Sequence, residues 1–348
     1  MNSFWKNKNV LITGHNGFKG SWLSLWLTQM EANVFGFSLP VDTNPSLFEQ
    51  LKLKNKMQHK ILDICNFPEL VEYINNKKID FVFHFAAQSL VLRGYKNTLT
   101  TWNTNVLGTA NLLEALRYSN QACSVIAITT DKVYENNEWP YAYRETDRLG
   151  GKDPYSASKA GSELVINSYR SLFFQEKVPI KIATARAGNV IGGGDWCENR
   201  LMPDIARSIM NKIPLKTRNP NSVRPWQHVL EPLAGYLLLA EKLSMDGQYA
   251  SAFNFGPSLA DNRTVEEVIK TALKIWPGDY HTSTNEILPH EAGLLKLSID
   301  KARSELQWQP KWGFDIAVKK SIEWYQQVHN GTDPVKITLN QIKEYNAT

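Results

Sequence analysis

Tyr155 and Lys159 stand four residues apart near the start of a helical stretch, which puts a phenol and an amine on one face. An ammonium beside a phenol favours the phenolate, so the pair is a candidate proton acceptor, and the lysine can also hold a ribose hydroxyl. Tyr73 and Lys77 have the same spacing and are read as an ordinary solvated helix face. Context separates the two pairs. Only Tyr155 follows a strand-like run, SVIAITT at 124–130, that ends in Thr129-Thr130-Asp131-Lys132. Thr130 can hydrogen-bond the hydroxyl that Tyr155 would deprotonate, and Asp131 and Lys132 set an acid and a base next to it. Such residues at the carboxyl edge of a parallel sheet stand where ligands bind.

A second constellation lies near the N-terminus. The run NVLIT (9–13) leads into Gly14-His15-Asn16-Gly17-Phe18-Lys19-Gly20 and then an apolar, Trp-rich helical stretch to Glu31. Gly14 permits a tight turn, Gly17 lets backbone approach a pyrophosphate, and Gly20 allows close contact between helix and strand. The helix N-terminus supplies free N–H groups to phosphate. No G-K-[ST] follows, which argues against a P-loop NTPase. The second strand, NVFGFS (33–38), ends in Ser38 where an acid commonly meets the ribose 2′-hydroxyl, so NAD and NADP are not separated here. Asp63, closing KMQHKILD, is placed to meet an adenine edge.

The elements between these motifs alternate. Strand-like segments at 9–13, 33–38, 56–63, 79–87, 124–130 and 181–188 are separated by helical patterns at 18–31, 67–76, 103–119 and 154–174. Strands separated by helices mean βαβ units and an α/β fold with a doubly wound, Rossmann-type parallel sheet. Beyond residue 188 glycine and proline become denser, and helical patterns return at 229–245, 264–275 and 313–329. The expectation is a dinucleotide-binding domain over 1–188 and a smaller substrate lobe over 189–348, with segments that can return to the first domain.

The chain has 348 residues, 43% hydrophobic and 21% charged, which supports a large packed core and excludes disorder as the main state. The net charge of +5 is scattered, with no basic block that suggests a nucleic-acid arm. Cys65, Cys123 and Cys197 lie far apart and form neither a disulfide framework nor a zinc motif. No metal site is expected. With no apolar signal core and no stretch long enough to span a bilayer, the expectation is a cytoplasmic protein, and the sequons at Asn262, Asn330 and Asn346 are read as chance.

Taken together, these motifs resemble the extended short-chain dehydrogenase/reductase family, and within it the nucleotide-sugar 4,6-dehydratases that act on CDP-glucose. The resemblance covers nearly the whole chain. It rests on GHNGFKGSWLSLWL (14–27), FHFAAQSLV (83–91), NTNVLGTANLLEA (103–115), the run from Thr129 to Arg170, RAGNVIGGGDWCENRLMPDI (186–205) and RPWQHVLEPLAGYL (224–237). The glycine loop and the Tyr/Lys pair mark only the superfamily, whereas D-K-x-Y-E-N and RPWQHVLEP mark the branch.

The resemblance implies tightly bound NAD, held by Gly14, Asn16, Gly17, Phe18, Gly20, Asp63, Ile64, Phe85, Ala86, Ala87, Tyr155 and Lys159. It assigns the nucleotide sugar to Gln88, Ser89, Asn189, Arg200, Leu201 and Arg224, and the chemistry to Thr130, Asp131, Lys132, Tyr155 and Lys159. His84, in a buried strand, is read as a core or loop-ordering residue. The resemblance also implies a homodimer or homotetramer built on the two long helices at 103–119 and 154–174. The implied reaction turns CDP-glucose into CDP-4-keto-6-deoxyglucose and water, in deoxysugar and surface-polysaccharide synthesis. Tyr155 takes the proton of the 4-hydroxyl, and Asp131 and Lys132 share the proton transfers at carbons 5 and 6, with the base at carbon 5 left open between them.

The dTDP-glucose dehydratases carry Asp-Glu after the threonine where this chain has Asp131-Lys132. Asp-Lys also occurs in inverting UDP-N-acetylglucosamine dehydratases, so the pair indicates a dehydratase more firmly than it indicates the sugar. A 4-epimerase shares the glycine loop and the Tyr/Lys pair but needs no second acid–base pair. A non-catalytic dinucleotide sensor could dispense with Tyr155 or Lys159 altogether.

Overall fold

A computed structural model describes residues 3–282 and 293–348. Seven strands make one parallel sheet: β1 (Asn9–Thr13), β2 (Asn33–Ser38), β3 (Gln58–Ile61), β4 (Phe81–His84), β5 (Cys123–Ile128), β6 (Ile180–Ala187) and β7 (Ala252–Phe255). Their order across the sheet is β7-β6-β5-β4-β1-β2-β3. Thr13, at the end of β1, is in register with Phe37 of β2 and His84 of β4. The chain leaves β1 toward one edge for β2 and β3, then crosses to the other side for β4. This switch opens a crevice outside the carboxyl ends of β1 and β4.

The inner strands are short apolar runs because both sheet faces are covered, whereas the edge strand β3, QHKI, is largely polar and partly exposed. Val10, Ile12, Phe81, Phe83, Ile126 and Ile128 face one core, and Leu11, Phe35, Phe37, Val82, Val125 and Ala127 face the other. The second core is closed by helices Phe67–Asn75, Gly108–Ser119 and Pro154–Gln175. On the first face lie Phe18–Gln29 and Leu230–Met245, backed by the C-terminal helices Phe314–His329 and Pro334–Ala347. Every residue from Gly20 to Leu27 is buried, so this Trp-rich helix shows no polar face in its sequence.

Beyond residue 188 the chain does not stay apart from the sheet. Leu230–Met245 packs on it, and Ala252–Phe255 extends it as β7 beside β6. The sequence reading did not mark β7, helix Leu201–Met210 or helix Pro334–Ala347. The stretch read as one helix over 103–119 opens with a π-turn, Asn103–Leu107, before the α-helix from Gly108. Tyr73 and Lys77 are not a solvated face. Tyr73 is buried, donates its hydroxyl to the Gly36 carbonyl, and carries the Lys77 ammonium over its ring at 4.9 Å.

Tight packing between layers converges on Gly192–Gly194. The Trp22 indole donates to the Gly193 carbonyl at 3.0 Å, and the Tyr325 hydroxyl donates to the carbonyls of Gly192 and Asp195. A Cβ on Gly193 would lie 1.9 Å from the Trp324 ring. Gly193→Ala should therefore cost about 1–3 kcal/mol through overpacking, measured by urea denaturation. Gly247→Ala, where nothing lies within 4 Å, is the reference expected to stay near wild type.

Candidate active site

The loops after β1, β4 and β5 open into one cleft of about 730 Å³, within the range of small-molecule sites. Every residue singled out above for cofactor, substrate or chemistry lines it, from the glycine loop through Phe85–Ser89 and Thr130–Lys132 to Tyr155, Lys159, Asn189, Arg200, Leu201 and Arg224.

The glycine loop is shaped by contact with its own neighbours. Gly14 has φ +69°, and a Cβ there would meet the Ala86 backbone at 2.8 Å. At Gly20 a Cβ would fall 2.3 Å from the Gly14 carbonyl. Gly17 differs: its nearest neighbour would be 3.4 Å away, so its free side faces the cleft. Asn16 donates to the Leu39 carbonyl at 2.7 Å and accepts from the Ser38 hydroxyl, which ties the loop to the end of β2. Asp63 accepts from the Cys65 backbone N–H at 2.9 Å, a loop-capping bond, while still lining the cleft. His84 bridges Thr13 on β1 and Thr109 on the neighbouring helix. Burial pushes it down to about 3, so it is a neutral tie between elements.

Asp153 caps helix Pro154–Gln175 by accepting from the Ser156 N–H, and Pro154 occupies its first turn. The helix therefore begins where Tyr155 meets the end of β5. Burial pushes the Tyr155 phenol up to about 12, while a hydrogen bond with Thr130 and the Arg200 charge act to lower it. Lys159 stands one helical turn after Tyr155 and is itself buried. Its ammonium donates to the Ile128 carbonyl at 2.9 Å, and burial lowers it to about 8. Arg200 is a cation that bears on the phenol.

Thr130 donates to Asp131 Oδ1 at 3.0 Å, and the Lys132 ammonium lies 3.7 Å from the same oxygen. Asp131 is 1% exposed, and its Oδ2 is buried without a hydrogen-bond partner in the free chain. Asn189 Oδ1 is likewise buried and unpartnered. Both residues line the cleft. Buried polar atoms of this kind call for a partner, and one belonging to a ligand fits. Arg200 donates to Asp195 Oδ2 and to the Ser89 hydroxyl, both at 3.1 Å. Arg224 is buried, with one Nη held by the Val223 and Gly293 carbonyls.

Three residues in or beside the site were not singled out from the sequence. Asn105, in the π-turn, accepts from Gln88 N–H and donates to the Ser158 hydroxyl, joining the loop after β4 to the Tyr155 helix. Asp195 orients Arg200, and its signal was an acid following three glycines. Lys19, a charge within the glycine loop, is pushed down to about 7 by burial and by Arg200 and Lys159, with Asp131 and Asp195 opposing.

These features describe a nucleotide-binding α/β fold with an acid–base cluster at its switch point, and comparison with known proteins agrees. The model of the GDP-mannose 4,6 dehydratase family matches residues 11–321, and the chain belongs to that family. Among its relatives is a CDP-glucose 4,6-dehydratase of Salmonella typhimurium, 44% identical over 99% of this chain and 97% of its own length. The fold matches a dTDP-glucose 4,6-dehydratase of Streptomyces venezuelae crystallised with NAD (TM-score 0.80, 22% identity, 94% and 99% of the two chains). It also matches a UDP-glucose 4-epimerase of Thermotoga maritima (TM-score 0.79, 19% identity, 92% and 99%). Fold alone therefore does not separate dehydratase from epimerase.

Lys19 gives this site a pH signature. Its folded-state value lies below the ordinary 10.5, so the unfolded chain binds more protons between about 7 and 10.5. Stability through this group is least below pH 7 and recovers as pH rises. Lys159 acts in the same direction above about 8. Lys19→Met should therefore flatten the rise of stability between pH 7 and 8, read by urea denaturation across that range.

Proposed function

We propose that this protein converts CDP-glucose to CDP-4-keto-6-deoxyglucose and water, a hydro-lyase reaction in deoxysugar and surface-polysaccharide synthesis. The observation that carries the reading is the buried Asp131 beside Lys132, set against Thr130 and Tyr155 at one end of the cleft. A 4-epimerase has no use for that second acid–base pair. The CDP-glucose dehydratase from Salmonella supplies the nucleobase and sugar.

NAD fits the glycine-loop end of the cleft. Gly17 leaves its side open to a pyrophosphate, the N-terminus of helix Phe18–Gln29 presents free N–H groups, and Lys159 is placed to hold a ribose hydroxyl. NAD held there would supply a reversible hydride acceptor, so the overall reaction would need no net oxidant. Tyr155 removes the proton of the 4-hydroxyl, with Thr130 orienting that hydroxyl and Arg200 favouring the phenolate. The ketone formed at carbon 4 acidifies the carbon-5 proton. Asp131 and Lys132 take that proton and deliver one to the departing 6-hydroxyl. Asn189, Arg200 and Arg224, with Gln88, Ser89 and Leu201, hold the nucleotide sugar.

The division of labour follows: residues 1–188 mainly bind the cofactor and residues 189–348 mainly the nucleotide sugar. Exposed Leu99, Trp102, Leu107 and Leu164, on the helical segments that include Thr98–Trp102 and Pro154–Gln175, suit a homodimer or homotetramer, which sedimentation velocity tests. Three free cysteines suit the reducing cytoplasm. Among the described residues no helix is long and apolar enough to cross a membrane.

Gly17→Val should fold, because the side chain has room, yet lose NAD affinity by occupying the pyrophosphate approach. Calorimetric titration with NAD alongside a melting curve checks both halves. Incubation with CDP-, dTDP-, UDP- and GDP-glucose should give a 4-keto product with the CDP sugar. Turnover only of another nucleotide would reassign the substrate. Asp131→Asn and Lys132→Met should each lower formation of 6-deoxy product ~10²–10⁴-fold. The variant lacking the base should exchange the carbon-5 proton with deuterated solvent least. Wild-type product formation in both would remove the pair from the reaction.

A further inference from the structure

Two helical turns after Tyr155, and one after Lys159, the same helix face carries Glu163, a carboxylate only 5% exposed. It has four hydrogen-bond donors. Oε1 accepts from the Thr129 hydroxyl at 2.6 Å and from Arg186 Nε at 2.9 Å. Oε2 accepts from the Thr184 hydroxyl at 3.0 Å and from Arg186 Nη2 at 2.9 Å. Arg186 extends the chain of contacts, donating through Nη1 to the Tyr134 hydroxyl and the Glu145 carbonyl. Tyr134 in turn donates to Asn254 on β7. A single carboxylate thus joins the helix of the Tyr/Lys pair to the ends of β5 and β6 and, through Arg186 and Tyr134, to β7.

A buried ion pair is a poor way to gain stability, since well-packed apolar residues often do as well. Its placement is more informative than its energy. Thr129 adjoins Thr130, and Glu163 follows Lys159 by one turn of the same helix. Among the described residues, Lys19, from the glycine-loop helix, and His84, from β4, which burial keeps neutral, also interact with that ammonium, while the Arg186 cation lies on the far side of the Glu163 pair. None of these supplies negative charge, whereas Glu163 acts to keep Lys159 protonated.

We propose that Glu163 and Arg186 are positioning residues for the reaction: their buried pair locks the Tyr155–Lys159 helix in register with Thr129-Thr130 and sets a negative charge beside the Lys159 ammonium. This rests on the assignment of Thr130, Tyr155 and Lys159 above. Neither Glu163 nor Arg186 lines the cleft, so both act through the residues that do.

The test follows the Lys159 ammonium directly, by carbon-13 NMR of lysine-labelled protein, with its signal identified by loss in Lys159→Met. Glu163→Gln alone leaves Arg186 buried without a counter-charge. The double variant Glu163→Gln/Arg186→Met removes both charges together, and Glu163→Asp keeps the charge on a shorter stem. In the double variant, folded by circular dichroism, the Lys159 midpoint should fall by roughly one pH unit. The alkaline limb of kcat should move with it, and kcat should drop about 10²-fold while KM for the nucleotide sugar holds. Glu163→Asp should restore the midpoint. A folded double variant with the wild-type Lys159 midpoint and wild-type kcat would overturn the proposal. If wild-type protein leaves CDP-glucose unchanged while Glu163 still controls the Lys159 midpoint, the functional reading fails and the electrostatic assignment stands.

Discussion

The whole site depends on β1 pairing in parallel with β2 on one side and β4 on the other. That pairing makes the chain reverse its direction of winding, and the loops after β1 and β4 must part. The glycine loop enters the gap, and its turn is so close to Ala86 that only a residue without a side chain fits at position 14. β5 then brings Thr129–Lys132 to the same edge, and the helix after it brings Tyr155 and Lys159 back over them. Contacts from other elements fix several residues in and around the cleft. Asn16 is tied to Ser38 and Leu39, Asn105 to Gln88 and Ser158, and His84 to Thr13 and Thr109.

Much of this is legible in sequence where local patterns carry it. The strands from NVLIT to KIATARAG are runs of the right length, apolar except for the edge strand QHKI, and the structure shows each of them within a few residues of its expected bounds. The glycine spacing and the Tyr155/Lys159 spacing are local too. What escaped depends on distant partners. β7 (Ala252–Phe255) is too short to announce itself and becomes a strand because β6 has an open edge. The Tyr73/Lys77 pair looks solvated by charge alone, yet Tyr73 is buried by helix Phe67–Asn75 lying on the sheet. Lys159 looks like the partner of the Tyr155 phenol by spacing. Its ammonium also donates to the Ile128 carbonyl, 31 residues away in sequence, a contact that spacing does not announce.

The branch-marking segment RPWQHVLEP shows how a sequence motif can be mostly architectural. Of its side chains, Arg224 and Trp226 line the cleft. Trp226 also donates to the Arg263 carbonyl, and Gln227 donates to the Phe255 carbonyl at the end of β7. His228 sits between the rings of Trp22 and Trp312 and is held neutral by burial. Glu231, fully buried, accepts from the backbone of Lys311 and Trp312 and from the Tyr345 hydroxyl. The motif fastens the C-terminal helices to the sheet and carries Arg224 as one of its ends.

That fastening reaches the chemistry through Arg200. The Gly192–Gly194 loop is clamped by Trp22 from the first helix and by Trp324 and Tyr325 from helix Phe314–His329. The clamp fixes Asp195, whose carboxylate holds Arg200, and Arg200 bears on both the Tyr155 phenol and Lys19. A residue assigned to the nucleotide sugar is therefore also the cation that acts on the proposed base. Substrate phosphate engaging Arg200 would weaken that action, because a nearby anion competes for the same positive charge. Helix Phe314–His329, more than 100 residues from Thr130, thus supports the residue that holds Arg200. It does so through rigid packing around three glycines, without entering the cleft itself.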